Sequence, residues 1–158
     1  MASRRLQQLF AGAWTPGDLV AFHTAHKLLL MAHAPCAGIR LGRLVANPRA
    51  LSRTALQASY SDGFGRALAS PATRGRHANV LQHMVGYFTR ALDLDGRAAL
   101  RDAIERFASG LVSLTVPLAL FRHHVRRCDV RYLASQTYLH PCPDYLLPHT
   151  DVRGPDAP

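Results

Sequence analysis

Three histidines and a lysine lie close together in the segment 22-FHTAHKLLLMAH-33, which otherwise has the composition of a buried helix. On a helix His26 and His33 are two turns apart, and His23 is one turn from both His26 and Lys27. A polar stripe on an apolar helix must meet polar partners. The pattern leaves four roles open: hydrogen bonding inside the core, an acid–base group, an RNA-facing stripe and a metal site.

The residue types disfavour a metal site. A zinc helix of the HExxH kind needs histidines at i and i+4 together with a carboxylate, whereas here the spacing is HxxH and Asp18 lies a turn too early. Glu105 is the single glutamate of the chain. The three cysteines, with no CxxC pair, are typical of reduced thiols in a cytoplasmic protein; they are Cys36, Cys128 and Cys142. We therefore predict no metal and no cofactor.

A second polar set lies on the predicted helix 76–92. One arc of this helix is apolar, and it contains Val80, Leu81, Met84, Val85, Tyr87, Phe88 and Leu92. The other arc carries amide and imidazole groups around a glycine, where a solvated face usually carries Glu, Lys and Arg. Glycine in a helix costs about 1 kcal/mol relative to alanine, which favours a close approach to the backbone at Gly86. We predict a pocket lined by both stripes, namely His23, His26, Lys27, His33, Asn79, Gln82, His83 and Gly86; the alternative is a core face and a solvated face.

The charge of the chain favours a polyanionic partner. Nineteen basic residues against ten acidic ones give a net charge of +9, and eighteen of the nineteen are arginines, whose guanidinium suits bidentate phosphate contacts. The segment 117-PLALFRHHVRRCDVRY-132 places a cationic strip on one helix face near a helix C-terminus. We predict that phosphates contact this strip and its extensions, namely Arg74, Arg76, Arg122, His123, Arg126, Arg127 and Arg131; the alternative is a solvated basic helix end.

The elements that must position these groups are helices, because no segment alternates with a period of two. Thr15, Pro16 and Asp18 predict the start of a long helix that ends near His33. The full set of predicted helices is 3–11, 16–33, 37–46, 49–69 (with a break near 61–63), 76–92, 97–109 and 114–128. The fold class is thus all-α, a single compact domain of six to eight helices around one core, over residues 1–147, followed by a flexible tail, 148–158. The longest apolar run, 28–31, is far shorter than the ~20 residues of a membrane span, and we expect neither a signal peptide nor membrane contact.

Several strings resemble the YbgA-like bacterial domain family, in order along most of the chain: FHTAHKLLLMAH (22–33), GRLVAN (42–47), SPATRGRHANVLQHMVGYF (70–88), VPLALFRHHVRR (116–127) and SQTYLHPCP (135–143). The resemblance implies an all-helical fold. It also implies a partner, since such domains occur fused behind iron–sulfur desulfidases similar to enzymes that act on thiouracil and on thiouridine in tRNA. In those proteins the helical part is thought to present the RNA.

Two functions of different classes follow as expectations. The first is a non-catalytic, cytoplasmic domain that binds RNA, and tRNA in particular, and works with a separate iron–sulfur desulfidase or another RNA-modifying enzyme. The second is a small enzyme or ligand-binding protein that uses the His/Lys/Asn/Gln pocket on a nucleotide or modified base. The absence of a recognisable nucleophile or metal-ligand set disfavours catalysis.

Overall fold

Residues 1–140 are the part of the chain that the structure, a computed structural model, describes. Their backbone forms eight α-helices and no strand, packed into one all-α domain, which confirms the predicted fold class. The helices are α1 (Ala2–Ala11), α2 (Pro16–His33), α3 (Pro35–Ala46), α4 (Arg53–Ala69), α5 (Arg74–Val85), α6 (Leu94–Ala108), α7 (Thr115–Arg127) and α8 (Arg131–Ala134). Three 3-10 turns lie between or after them, at Pro48–Ala50, Gly86–Phe88 and Thr137–Leu139. The predicted boundary at 147 and the tail 148–158 lie outside the described residues.

The start of α2 confirms the predicted capping residues. The Thr15 hydroxyl accepts a hydrogen bond from the Asp18 backbone N–H, and the Asp18 carboxylate accepts one from the Thr15 N–H at 2.7 Å. Two of the helix's unpaired N–H groups are satisfied in this way, with Pro16 at the first helical position, where no N–H is needed. The Thr15 hydroxyl also donates to Asp18 Oδ2 at 2.7 Å, and this bond, together with the one from the Thr15 N–H, holds the pKa of Asp18 below its usual value.

Helix α2 lies between two hydrophobic clusters instead of bordering the one core that was predicted. Leu28, Leu29 and Ala32 pack with α5, α6 and α7 in the first cluster. Leu19 and Leu30 pack with α1, α3 and α4 in the second. Partly buried side chains such as Leu68 contact both. Because α2 must satisfy neighbours on both sides, it is apolar nearly all round, and its few polar groups become conspicuous.

The largest differences from the predicted helices lie in α4 and α5. Helix α4 continues through 61-SDG-63, where a break was predicted. The glycine there serves helix packing, since a Cβ at Gly63 would stand 2.9 Å from Leu41 Cδ2 on α3. Helix α5 begins at Arg74, where Thr73 accepts the capping hydrogen bond, and it ends at Val85, where the chain tightens into the 3-10 turn. The predicted helix 76–92 therefore ended too late.

The segment after α7 returns to the centre of the fold. Gln136 is fully buried, and its side-chain amide donates to the Thr24 carbonyl at 2.8 Å and accepts from the Leu28 N–H at 3.3 Å. Thr137 donates to the Ala25 carbonyl. This segment is therefore fastened to the backbone of α2, more than a hundred residues earlier in the chain. Within residues 1–140, no helix has the length and apolar character needed to cross a membrane.

Candidate functional site

The three histidines of α2 have different surroundings. His26 is 3% exposed, stacks on Phe22 at 4.0 Å between ring centroids and meets the edge of Phe64. Its Nδ1 lies 2.8 Å from the Phe22 carbonyl oxygen, which can only accept, so Nδ1 carries the proton. Burial lowers the pKa of His26, and Arg5 lowers it further. His26 is thus a neutral histidine of the core.

His33 joins helix ends. Its Nδ1 donates to the Ser70 carbonyl at 2.6 Å, which ties the end of α2 to the end of α4. Its own carbonyl accepts from the Arg76 guanidinium at 2.6 Å. Burial lowers the pKa of His33, with a smaller contribution from Arg76. His33 therefore joins the end of α2 to the end of α4 and to Arg76 of α5.

His23 is the histidine of α2 that reaches an open cavity. A groove of about 420 Å³ lies between α2 and α3, and its polar lining includes His23, Thr24 and Lys27. Leu30, Met31 and Ile39 supply apolar walls. Gly38 and Gly42 lie one turn apart on α3 and allow α3 to approach α2 closely, since a Cβ at Gly38 would stand 3.3 Å from Leu30 Cβ and one at Gly42 would stand 3.2 Å from His23 Nε2. Tyr132 of α8 also lines the groove.

The His23 ring is oriented from behind by Tyr60 of α4. His23 Nδ1 and the Tyr60 hydroxyl are 3.0 Å apart, and Tyr60 is fully buried. Burial raises the pKa of Tyr60, so its hydroxyl keeps its proton. Burial also lowers the pKa of His23, with further lowering by Lys27 and then His26. The imidazole is therefore neutral at pH 7, held next to a cation in a partly apolar groove.

The exposed face of α5 does not share this groove. Asn79, Gln82, His83 and Gly86 are all exposed, and a Cβ at Gly86 would meet no described atom within 4 Å. The close backbone approach expected at this glycine is therefore absent from residues 1–140. A chain of ring contacts connects the two regions instead: His83 meets Tyr87 at 5.7 Å, and Tyr87 stacks on Tyr132 at 4.9 Å. The eight predicted pocket residues thus divide into His23 and Lys27 in the groove, His26 and His33 in the interior, three on α5, and Gly86 in the turn that follows it.

Tyr132 is the shared element of the groove and the α5 face. Burial, reinforced by the neighbouring Tyr87 phenol, raises the pKa of Tyr132 to about 12. The two rings stack on each other, with Tyr87 37% exposed on the outer side. A partly exposed aromatic pair of this kind is a surface on which a flat ligand can stack.

The cationic strip lies mainly on the outer face of α7. His123, Arg126 and Arg127 are exposed and Arg122 is half-buried; we refer to these four residues as the α7 arginine face. Among residues 1–140, neither a salt bridge nor a hydrogen bond engages these guanidiniums. Arg131, the predicted continuation, pairs weakly with Asp129 at 3.4 Å in full solvent exposure. The end of α7 also contacts the turn after α5, where the Cys128 thiol lies 3.6 Å from the Ala91 carbonyl.

Arg74 and Arg76, the predicted extensions of the strip, have structural partners. Arg74 donates to the Phe107 carbonyl at 2.7 Å and lies over the Phe107 ring at 5.2 Å, so it fastens α5 to the end of α6. Arg76 donates to the carbonyls of His33 and, at 3.2 Å, Pro71. Their role in phosphate binding remains a prediction.

Several residues that complete these regions have no sequence signature of function. Tyr60 and Gln136 act through contacts with residues far away in the chain. His77 is a further buried histidine, with Nδ1 2.9 Å from the Tyr138 hydroxyl. Gln136 and Tyr138 belong to the string 135-SQTYLHPCP-143, so a motif indicated the segment but not its contacts. Cys36 is exposed at the start of α3, and Cys142 lies outside the described residues.

Metal ligands do not converge in the described part of the chain. Among residues 1–140, no three His, Cys, Asp or Glu side chains lie together as a metal-binding group. The polar groups that are open to a ligand are the His23 imidazole and the Lys27 amine in the groove and, on a separate face, the arginines of α7. They are suited to hydrogen-bonding and neutralising an acceptor-rich, anionic ligand.

Fold and site together define a class: a basic, all-helical domain with a histidine-bearing central helix, a hydrogen-bonding groove and an arginine-rich outer helix. Residues 27–143 match the family model described as "Protein of unknown function (DUF1722)", and the chain belongs to this family. It is 29% identical over 155 residues to "Uncharacterized protein YbgA" of Escherichia coli (strain K12), covering 96% of this chain and 90% of that protein. No solved structure matches the chain. The predicted YbgA-like family membership is confirmed.

Proposed function

We propose that the protein is a non-catalytic RNA-binding domain whose phosphate contacts are made by the α7 arginine face. One observation carries the proposal: Arg122, Arg126 and Arg127 project from one face of a single helix without a partner among residues 1–140. Their spacing places charge along one line, as a polynucleotide backbone requires. If these arginines form only a solvated helix end, removing their side chains should not weaken binding to RNA.

The neighbouring aromatic pair supports RNA over duplex DNA as the partner. Only three residues, 128–130, separate α7 from α8, which carries Tyr132. The stacked Tyr87 and Tyr132 rings, flanked by His83, are a platform of the kind on which unpaired bases stack. The bases of duplex DNA are paired and stacked inside the helix, so they cannot stack on such a platform.

The expected RNA is tRNA, and the expected partner is a separate enzyme. The family resemblance supports both, since YbgA-like domains also occur fused behind desulfidases similar to those acting on tRNA. A stand-alone RNA-binding domain would supply the substrate to an iron–sulfur desulfidase or another RNA-modifying enzyme. An RNA partner of this kind implies a cytoplasmic protein.

The test is the double substitution Arg126→Ala/Arg127→Ala. Removing two phosphate contacts at about 0.7 kcal/mol each should weaken tRNA binding about tenfold. The plot of log affinity against log salt concentration should flatten by about 2, one for each lost contact. Fluorescence-anisotropy titrations at two or more salt concentrations, with duplex DNA as competitor, measure both quantities.

The matched control is Arg4→Ala/Arg5→Ala. These arginines are also exposed and adjacent, but they lie on α1, which packs in the other hydrophobic cluster. The control loses the same net charge and should retain nearly wild-type affinity and salt slope. Equal losses in both variants would show that general surface charge, and not the α7 arginine face, binds the polyanion.

A second candidate function is a ligand-binding protein or small enzyme acting on a nucleotide or modified base. The observation that favours it is the groove with a neutral His23 next to Lys27. A thermal shift with nucleotides, together with no affinity for tRNA, would favour this candidate over RNA binding. Turnover of the nucleotide during that experiment would make it an enzyme.

A further inference from the structure

The hydrogen-bonding character of the groove follows from the pairing of His23 with Tyr60. The Tyr60 hydroxyl is buried and must donate its proton, and among residues 1–140 His23 Nδ1 is its one acceptor. Nδ1 is therefore the unprotonated nitrogen, and Nε2 carries the hydrogen. Nε2 stands 3.2 Å from the position that a Cβ of Gly42 would take, and both residues line the groove.

The two strongest polar groups of the groove are both donors. Lys27 adds an ammonium, which donates and cannot accept. The remaining lining is apolar or, like the Thr24 hydroxyl, able to take either role. A ligand that places an oxygen acceptor between His23 and Lys27 satisfies both, whereas one that places an amino group there leaves donors facing donors.

The size of the groove suits one base. Its apolar lining includes Leu30, Met31 and Ile39, and α3 packs closely on α2 at Gly38, where a Cβ would stand 3.3 Å from Leu30 Cβ. A volume of about 420 Å³ lies within the range of small-ligand pockets and is large enough for a nucleoside. Tyr132, which lines the groove, is also one ring of the exposed aromatic pair.

We propose that this groove binds a single unstacked nucleobase that carries an exocyclic carbonyl oxygen, with His23 Nε2–H and Lys27 donating to that oxygen. Keto bases are therefore preferred to amino bases. The inference rests on the proposed RNA-binding function for the source of the base, since an RNA strand held by the α7 arginine face reaches the groove past Tyr87 and Tyr132. A free mononucleotide offers the same chemistry from a second source.

The first experiment compares inosine 5′-monophosphate with adenosine 5′-monophosphate by isothermal titration calorimetry. The two share ring size, ribose and phosphate, and differ in the six-position oxygen or amino group. The wild-type protein should bind the keto nucleotide about tenfold more tightly, because the amino nucleotide leaves a buried donor unpaired. Equal affinities, a preference for the amino nucleotide, or no binding at millimolar concentration would overturn the proposal.

The groove is then tested with Gly42→Ala. The new methyl group would stand 3.2 Å from His23 Nε2 and cover the donor, while alanine favours the helix. The variant should keep its melting temperature within a few degrees and lose the tenfold keto preference. Gly65→Ala, on α4, is the control, because a Cβ there meets nothing within 4 Å. Retained keto preference in Gly42→Ala would overturn the proposal.

Two side-chain variants cover the case in which Gly42→Ala perturbs the fold. Lys27→Met changes an exposed side chain and should weaken inosine 5′-monophosphate binding about tenfold while affecting adenosine 5′-monophosphate less. His23→Gln retains an N–H near Nε2 and should preserve the preference that His23→Leu abolishes. Equal effects on the two nucleotides, in either comparison, would contradict the proposed contact.

The experiments distinguish failure of the keto-base proposal from failure of the RNA-binding proposal. Loss of keto preference with tRNA binding still dependent on Arg126 and Arg127 refutes the groove and leaves the RNA-binding function intact. Keto preference in mononucleotides without any tRNA affinity refutes the RNA-binding function and assigns the groove to a free nucleotide. With both correct, Gly42→Ala should reduce the preference of the protein for RNA ending in a keto base and leave the salt slope unchanged.

Discussion

Replacing the buried Gln136 amide with a carboxyl group should make the contribution of this contact to the free energy of unfolding depend on pH. In Gln136→Glu, an ionised carboxylate still accepts from the Leu28 N–H, but it repels the Thr24 carbonyl to which the amide donated. A protonated carboxyl restores both hydrogen bonds. Burial and the Thr24 carbonyl both favour the neutral form, so the pKa of the introduced group must rise above the usual value of about 4.3.

The magnitude follows from linkage between protonation and folding. With a rise of about 3 pKa units, the free energy of unfolding at pH 7 falls by about 3–4 kcal/mol. Because the folded-state pKa lies above the unfolded one, the penalty is complete above the folded-state value. It shrinks as the pH falls toward about 4.3, so about 2 kcal/mol should return by pH 5.

Urea unfolding of the wild type and the variant at pH 7 and pH 5 measures this, and the difference at each pH cancels the titration of the native histidines. Gln8→Glu, on the exposed face of α1, is the control and should change stability by less than about 0.5 kcal/mol at both pH values. Gln136→Leu, which keeps the volume and removes both hydrogen bonds, should lose about 2 kcal/mol independently of pH. A penalty in Gln136→Glu that is absent, or that grows on acidification, would refute the contact between Gln136 and α2.

Two further predictions concern the remaining buried polar contacts. Burial, reinforced by His33, lowers the pKa of His77 to about 4. The unfolded state therefore binds this proton more tightly than the folded state does. The free energy of unfolding should be highest above about pH 6.5 and should fall by about 1 kcal/mol per pH unit between 6.5 and 4. Denaturant titrations of His77→Gln should show a shallower fall over that window, and an unchanged slope would exclude His77 as its source. Arg74→Lys should lower stability by about 1–2 kcal/mol, since a lysine loses the fixed geometry of the bond to the Phe107 carbonyl and the ring contact; a thermal scan tests this, with Arg101→Lys on the exposed face of α6 as the control that should not shift.

Local signals predicted most of the helices, and tertiary contacts decided where that prediction was wrong. Thr15 and Asp18 satisfy the first N–H groups of α2 by themselves, so the start of this helix is readable from four residues. A glycine such as Gly63 often marks a helix break. Here it is required instead by packing, because Leu41 of α3 occupies the space that a Cβ would take. No local pattern distinguishes these two cases.

The sequence predicted which residue types form the candidate site, but not which of these residues lie together. Helical spacing placed His23, His26 and Lys27 on one flank, and the arginines of α7 on one face, as the structure has them. The sequence does not state which neighbours fill the space around each group. Tyr60, Gly42 and Tyr132 come from three other helices, and they decide which histidine meets a cavity. Similarly, Arg74 and Arg76 resemble the arginines of α7 in sequence, but backbone carbonyls of distant residues occupy their guanidiniums.

The role of each histidine in α2 depends on the hydrogen bond that its Nδ1 makes. In His26 and His33, Nδ1 donates to a carbonyl and the ring is enclosed by the packing of the helices, so the side chain completes the interior. In His23, which lines the groove, Nδ1 accepts from a buried phenol, and the proton is thereby fixed on Nε2, next to Gly42. The same residue type, repeated at helical spacing, thus serves the core twice and a ligand site once. Because Tyr60 determines that difference, Tyr60→Phe should release the His23 ring and weaken base selection while Lys27 and the groove remain in place.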